Sequence, residues 1–285
     1  MKHIVAATDF SRRSQAAVQR AIFLAESFRA PLTIVHVVDD DQPSQIVEQA
    51  VGAARGLLQE QVARFSSGPA NCRSMVVTGD PFDGILRTAS TVGADLIVMG
   101  THRRQLLRDV FVGTTIERVI RTGPYPVLMV TRDQQRAYQS VLAPVDLSQA
   151  SAVALMTADR LGMLDKVQVT VAHAFLAAAK GKLYIADAPK ERIAEYVADV
   201  QRRSEKEVGA FLKSHGFLDR GWQRHVREGA ALEVIPLAIE TLRPDLVVVG
   251  THGRSRVARI FIGSVTESLL RTVETDILAV PRSPV

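Results

Sequence analysis

Gly250, Gly253 and Gly263-Ser264 stand at G-x2-G-x9-G-S spacing in the last quarter of a 285-residue chain. Glycine lets backbone amides approach a ligand with no Cβ in the way, and it tolerates positive φ. The stretch that follows, SVTESLLRTV, reads as a helix, and a helix start offers unpaired N–H groups at the positive end of its dipole. Together these residues suit a polyphosphate. They also suit a ligand-free arrangement, in which a glycine loop leads to a helix closed by an S-x-x-E capping box from Ser264 and Glu267. His252 lies inside the loop, where an imidazole can face a phosphate, and His102 occupies the matching place earlier in the chain. Arg254, Arg256 and Arg259 add charge around the same arc.

Two acids have a related potential. Asp9 and Asp146 each end a short apolar run, and ligands of open α/β sheets collect at the carboxyl ends of strands. A carboxylate there can accept a hydrogen bond from an adenine amino group or help to hold a divalent cation. It can equally be a turn residue, because Asp-Phe-Ser and Asp-Leu-Ser both precede helices. His36 and His173 fall inside apolar strands and read as hydrogen-bonded core residues. Other chemistries find no support. The chain has neither G-x-x-x-x-G-K-[ST] nor G-x-G-x-x-G, and no His and acid stand at zinc-ligand spacing. The single Cys72 reads as a small strand residue and excludes an intramolecular disulfide framework.

The elements that must position these residues are β-rich runs alternating with amphipathic segments. Strands are expected at 4–7, 31–38, 71–77, 95–99 and 126–130, then again at 141–145, 167–174, 222–226, 245–249 and 276–280. The helices between them argue for a parallel, doubly wound sheet. The chain repeats itself: DLIVMGTH from Asp95 matches DLVVVGTH from Asp245 at six of eight positions. Glycines 100, 113 and 79 recur 150 positions later, whereas Asp9 and His36 recur 137 positions later. About 13 extra residues therefore lie between His173 and Gly229. The copies differ at one point of the glycine motif, since Arg103 stands where the second copy has Gly253. Thr114 and Glu117 keep the capping box. Between the copies, RDQQRAY at 132–138 reads as a polar linker.

In its strand-end Asp, its His-bearing second strand and its glycine motif, the chain resembles a tandem universal stress protein. The resemblance covers nearly all of it. It implies two doubly wound five-stranded parallel-sheet domains of the adenine nucleotide alpha-hydrolase-like kind, at 1–133 and 138–285, forming an internal pseudo-dimer in which Val127–Val130 meets Ile277–Val280. It implies ATP or another adenine nucleotide in the second domain, with Mg2+ as a candidate companion at Asp146. Asp146 and Ala174 would lie near the base. The remaining contacts would come from Pro144, Val145, Gly250, His252, Gly253, Gly263, Ser264, Val265 and Thr266. The corresponding first-domain residues are Asp9, Val37, Gly100, Gly113 and Thr114, with nucleotide binding put in question by Arg103. The expected role is stress-response regulation through an unidentified protein partner, with a further homodimer open. The alternatives are a slow metal-dependent ATP hydrolase and a ligand-free interaction module.

Composition agrees. With 47% hydrophobic and 23% charged residues, the chain can bury two ordinary cores. Net charge is +5, but the arginine pairs at 12–13, 103–104 and 202–203 lie apart with few aromatics among them, so a solvated basic surface is expected rather than a dedicated nucleic-acid site. MKHIVAATDF runs directly into a strand pattern rather than a signal peptide, and no apolar run is long enough for a membrane helix. A cytoplasmic location is the expectation.

Overall fold

The computed structural model of the chain describes residues 1–63, 71–101, 114–134, 136–252 and 262–284. In the first half, β1 (Ile4–Ala7), α1 (Arg12–Phe28), β2 (Leu32–Val38), α2 (Ser44–Ala63), β3 (Cys72–Thr78), α3 (Pro81–Val92), β4 (Leu96–Gly100), α4 (Thr115–Thr122) and β5 (Val127–Val130) follow one another. The second half repeats this as β6 (Ser140–Pro144), α5 (Gln149–Arg160), β7 (Gln168–Phe175), α6 (Lys180–Ile185), α7 (Lys190–Ser214), β8 (Gln223–Glu228), α8 (Ala231–Leu242), β9 (Leu246–Gly250), α9 (Ser264–Thr272) and β10 (Asp276–Val280). The extra residues of the second half thus make α6 and the turn into α7.

The ten strands of the described residues form one sheet in the order β3-β2-β1-β4-β5-β10-β9-β6-β7-β8. Pairing within each half is parallel. The halves join where β5 and β10 run antiparallel, with Ile277 opposite Met129, Leu278 opposite Leu128 and Ala279 opposite Val127. This is the expected meeting of the last strands. It arises because each is a four- or five-residue buried apolar run, and an unpaired edge of that kind would leave a row of N–H and C=O groups without partners.

Apolar clusters cover both faces. One packs α1, α2 and α5 against the sheet and the other packs α3, α4, α8 and α9, and each draws residues from both halves. A third cluster joins α7 to β7 and β8. The helices form where the sequence signals them. Ser11 caps α1 by accepting from the Ser14 amide, and Asp80 caps α3 with Pro81 at its first position.

The stretch expected as a plain polar linker is instead tied into the fold. Tyr138 is buried and donates to Oδ2 of Asp276 at 2.8 Å, while Oδ1 of that residue accepts from the Thr131 amide and hydroxyl at 2.8 and 3.1 Å. Arg20 of α1, 1% exposed, places its Nε 3.7 Å from the same carboxylate and donates from its Nη1 to the Arg136 carbonyl at 2.7 Å. Its guanidinium also lies over the Tyr138 ring, 4.5 Å from the centroid. Burial and the nearby Asp276 carboxylate push the Tyr138 phenol well above its ordinary pKa, so it stays a donor. The repeat places Thr157 and Pro126 where Arg20 and Asp276 have their counterparts, so this polar node exists on one side of the pseudo-twofold alone.

A second tie is acid-sensitive. The Asp245 carboxylate accepts from the amides of Gln139 and Ser140 and pairs with Arg136 at 2.7 Å. Burial acts to raise its pKa, but these bonds outweigh it and hold the carboxyl below its ordinary value. A folded pKa below the unfolded one gives stability that is present above the unfolded value and lost as pH falls through the folded one. Between pH 7 and the range below about pH 4, the urea midpoint should therefore fall less for Asp245→Asn than for the unchanged chain. Identical acid losses in both would assign the sensitivity to other groups.

Candidate functional site

Two cavities open at the carboxyl ends of the strands, one in each half. The second has a volume of about 330 Å³. Pro144, Val145 and Asp146 reach it from the end of β6, and Ala174 from β7. Gly250 and His252 approach from β9, and Gly263, Ser264, Val265 and Thr266 from the start of α9. Every described residue expected in this site is thus brought to one cavity, while Gly253 and the arginines at 254, 256 and 259 lie outside the described residues. In the first half Asp9, Val37, Gly100 and Thr114 line a cavity of about 430 Å³. Gly113, His102, Arg103 and Arg104 are outside the described residues.

Ser151, Ala231 and Ile235 also line the second cavity and were not anticipated. The repeat carried the signal, because their counterparts Ser14, Pro81 and Ile85 line the first. Asp followed five residues later by Ser recurs in both copies for a physical reason. The Ser151 hydroxyl donates to Oδ1 of Asp146 at 2.7 Å, and that oxygen also accepts from the Ser148 amide at 3.0 Å. In the first half the Asp9 carboxylate accepts from the Ser11 amide at 3.0 Å. Burial acts to raise the pKa of Asp9, but hydrogen bonds from Ser11 and Ser14 prevail and keep it below the usual value. The histidines of β2 and β7 are positioned by the backbone: Nδ1 of His36 lies 2.8 Å from the Thr8 carbonyl and Nδ1 of His173 2.8 Å from that of Val145. His173 is buried as expected, and part of its edge faces the cavity.

Gly250 and Gly100 differ from their expected role. Neither has positive φ. A Cβ on Gly250 would lie 2.9 Å from the Ala150 carbonyl oxygen, and one on Gly100 would lie 2.6 Å from that of Arg13. These glycines let the first turns of α5 and α1 press against the strand ends, which shapes the cavity floor without any ligand. Because the obstructing atoms are backbone, Gly100→Ala and Gly250→Ala should each cost about 1–3 kcal/mol through overpacking, the former more. Thermal unfolding of the two variants checks this, and unchanged melting in both would remove the packing explanation.

The two helix starts also differ, and one expectation needs correction. In the first half Thr114 is the N-cap of α4, and the capping box is complete: the Glu117 amide donates to the Thr114 hydroxyl and the Thr114 amide to the Glu117 carboxylate. In the second half Ser264 and Glu267 form no such box. Gly263 is the N-cap with no side chain to offer, Ser264 is already the first helical residue, and the Glu267 amide bonds the Gly263 carbonyl at 2.9 Å. The helix is anchored one residue earlier by its surroundings. The Gly263 amide donates to the Thr251 carbonyl at 2.7 Å and the Thr266 hydroxyl to the Gly250 carbonyl at 2.8 Å, a bond that Ile116 cannot make at the matching place in α4. Glu267 instead pairs with Arg271 at 2.9 Å. Arg271 also reaches across to Glu117 at 3.1 Å, so the closed cap of α4 is tied to α9. At α9 the N–H groups of the first turn therefore border the cavity with no side-chain cap from the N-cap residue, where a negatively charged group gains most.

Among the described residues no cluster of three or more His, Cys, Asp or Glu could hold a metal ion. No described helix is long and apolar enough to cross a membrane.

Comparison with known proteins agrees with this architecture. A universal stress protein E of Escherichia coli K12 is 22% identical over 297 aligned residues, covering 98% of this chain and 93% of its own. A universal stress protein of Mycolicibacterium smegmatis is 26% identical, covering 97% and 96%. The crystal structure of a universal stress protein from Archaeoglobus fulgidus shares the fold with a TM-score of 0.69 at 18% identity, covering 98% of both chains. The model of the universal stress protein family matches twice, over residues 1–131 and 137–281. By those two matches, which take in nearly the whole sequence, the chain belongs to the universal stress protein family.

Proposed function

We propose that the chain is a nucleotide-responsive regulator whose second half, residues 138–285, binds one adenine nucleotide such as ATP, while the first half, residues 1–133, does not bind a triphosphate. The observation that carries this is the contrast between the two helix starts. The N-cap of α9, Gly263, gives its first-turn amides no side-chain cap beside the cavity, whereas at α4 Thr114 and Glu117 already take up two of the terminal amides, their own.

Gly263, Ser264, Val265 and Thr266 would receive the phosphates at the α9 start. Ile235 and Val249 offer an apolar wall for the base, with Ala174 leaving room beside them. Asp146, positioned by Ser148 and Ser151, would accept from the base or sugar. It is the one carboxylate among the described residues lining this cavity. A magnesium ion would take most of its oxygen ligands from phosphate and water, with Asp146 as the protein contact.

Isothermal titration with ATP should give one site per chain. Two equal sites would overturn the asymmetry, and no binding at millimolar ATP would overturn the nucleotide reading altogether.

A further inference from the structure

The ten-stranded sheet ends in two edges, β3 and β8, and they are finished differently. Each pairs with a single neighbour, so every second residue turns its N–H and C=O outward. At β8 the Gly229 amide bonds the Phe175 carbonyl, which puts the odd-numbered residues toward β7 and leaves Arg224, Val226 and Glu228 facing out. That edge is guarded. Nη1 of Arg227 donates to the Val226 carbonyl at 3.2 Å, and Glu228 pairs at 2.8 Å with Lys180 of α6, the helix made by the extra residues of the second half. Charged side chains of this kind blunt a sheet edge.

At β3 the Asn71 carbonyl accepts from the Leu32 amide and the Gly79 amide donates to the Val38 carbonyl. The odd-numbered residues therefore bond β2, and Cys72, Ser74, Val76 and Thr78 face out. Arg87 takes the Thr78 carbonyl at 2.8 Å. Among the described residues nothing takes the N–H or C=O groups of Cys72, Ser74 and Val76. Arg73 is the single charge of this strand, and the first half has no counterpart of α6.

We propose that β3 is a dimerisation edge whose partner is β3 of a second copy of this chain, paired antiparallel about a twofold axis through Ser74. The free groups set the register. With Ser74 opposite Ser74, Cys72 lies opposite Val76, so the three open residues of each copy satisfy one another and the capped Thr78 stays outside. An axis at Met75 would bring Cys72 against Thr78, and one at Arg73 would carry Val76 past the start of the strand. Arg73 lies opposite Met75 and never opposite another Arg73. The chain already closes one such seam, since β5 and β10 meet antiparallel between its own halves.

Helix α2 extends the contact. It packs over β2 and β3, so with strands about 4.8 Å apart the α2 helices of two copies come to lie side by side at about 10 Å, the spacing of packed helices. Only Ala54 and Leu58 of its 20 residues are buried within the chain, which leaves surface for this. One strand pair is small against the about 800 Å² per partner of a stable interface, so the helices are part of the seam. None of this rests on nucleotide binding.

Light scattering on the unchanged chain at tens of micromolar should give twice its mass of 31.1 kDa. Ser74→Pro removes an outward N–H that β2 does not use, at the kind of edge position that tolerates proline. Melting should stay nearly unchanged, while the dimer dissociation constant rises by about 100-fold or more through lost bonds and the ring's bulk at the axis. Ser74→Lys keeps the N–H but sets two ammonium groups opposite each other; it should weaken the dimer as well, and it decides the matter if Ser74→Pro fails to fold. A monomer at every concentration would overturn the proposal and leave the edge to a strand of another protein. So would a dimer that stays as tight in the folded variants as in the unchanged chain.

Discussion

Gly263→Asp should abolish ATP binding while leaving the fold as stable as before or slightly more so. Gly263 is the N-cap of α9 with φ −58° and ψ 142°, a conformation any residue adopts and the one an N-cap residue uses. An aspartate there would satisfy one of the open amides and complement the dipole, worth a few tenths of a kcal/mol over glycine. The same carboxylate would occupy the place proposed for a phosphate and repel the rest of the polyphosphate. Loss of several charge-assisted bonds at about 1.5–3 kcal/mol each predicts an affinity at least about 100-fold lower. Gly263→Ala separates charge from bulk: it should weaken ATP less, with no strain at this φ. Calorimetry and thermal melting on both variants test the assignment. ATP affinity unchanged in Gly263→Asp would place the phosphates elsewhere and defeat it. A stabilising change that destroys binding is a stronger signature than simple loss of binding, because damage to the fold cannot produce it.

Asp276→Ala should be among the most destabilising single changes in the chain, by about 3–5 kcal/mol. It removes the acceptor of the Thr131 amide and hydroxyl and of the Tyr138 phenol, and it leaves the Arg20 guanidinium buried without its carboxylate. Two of the Arg20 nitrogens, Nε and Nη2, already lack a hydrogen-bond partner, so little remains to compensate the charge. Arg20→Met should by itself leave an unneutralised acid and also destabilise. The double variant should lose less than the sum of the two, because both charges go together. Denaturant unfolding of the four proteins completes the cycle. Strict additivity would mean that the two side chains act independently and that the node is not what joins the halves. The ATP titration proposed for the second half provides a check on specificity, since β10 lies beside β9 and loosening it should disturb the cavity only when the fold itself weakens.

Much of the site was legible from the sequence because the chain carries its own internal comparison. Local pattern indicated the strands and helices: a short continuous apolar run rich in β-branched residues, such as Leu246–Val249, suits a strand buried on both faces, and two copies in register mark which positions recur. That is why Asp146, Ala174, Gly250 and Gly263 could be named beforehand and are found around one cavity. The pairing of β5 with β10 was legible for a related reason, since a short apolar edge must be covered.

Tertiary structure decided what local pattern cannot carry. S-x-x-E occurs at Ser264 as T-x-x-E does at Thr114, yet only the latter becomes a cap. The bonds from Gly263 to Thr251 and from Thr266 to Gly250 start α9 one residue sooner, and no pattern within the helix reports them. Gly250 looked like a loop glycine and proves to be a contact point for α5, a closeness set by how helix and sheet pack. Tyr138 looked like linker and is buried, through partners 116 to 145 positions apart that meet around Asp276. Arg13 appeared as one of a surface pair and lines a cavity because the Thr101 carbonyl turns it inward. In each case periodicity and propensity describe neighbours along the chain, while a cap, a close approach or a buried charge is settled by atoms that only folding brings together.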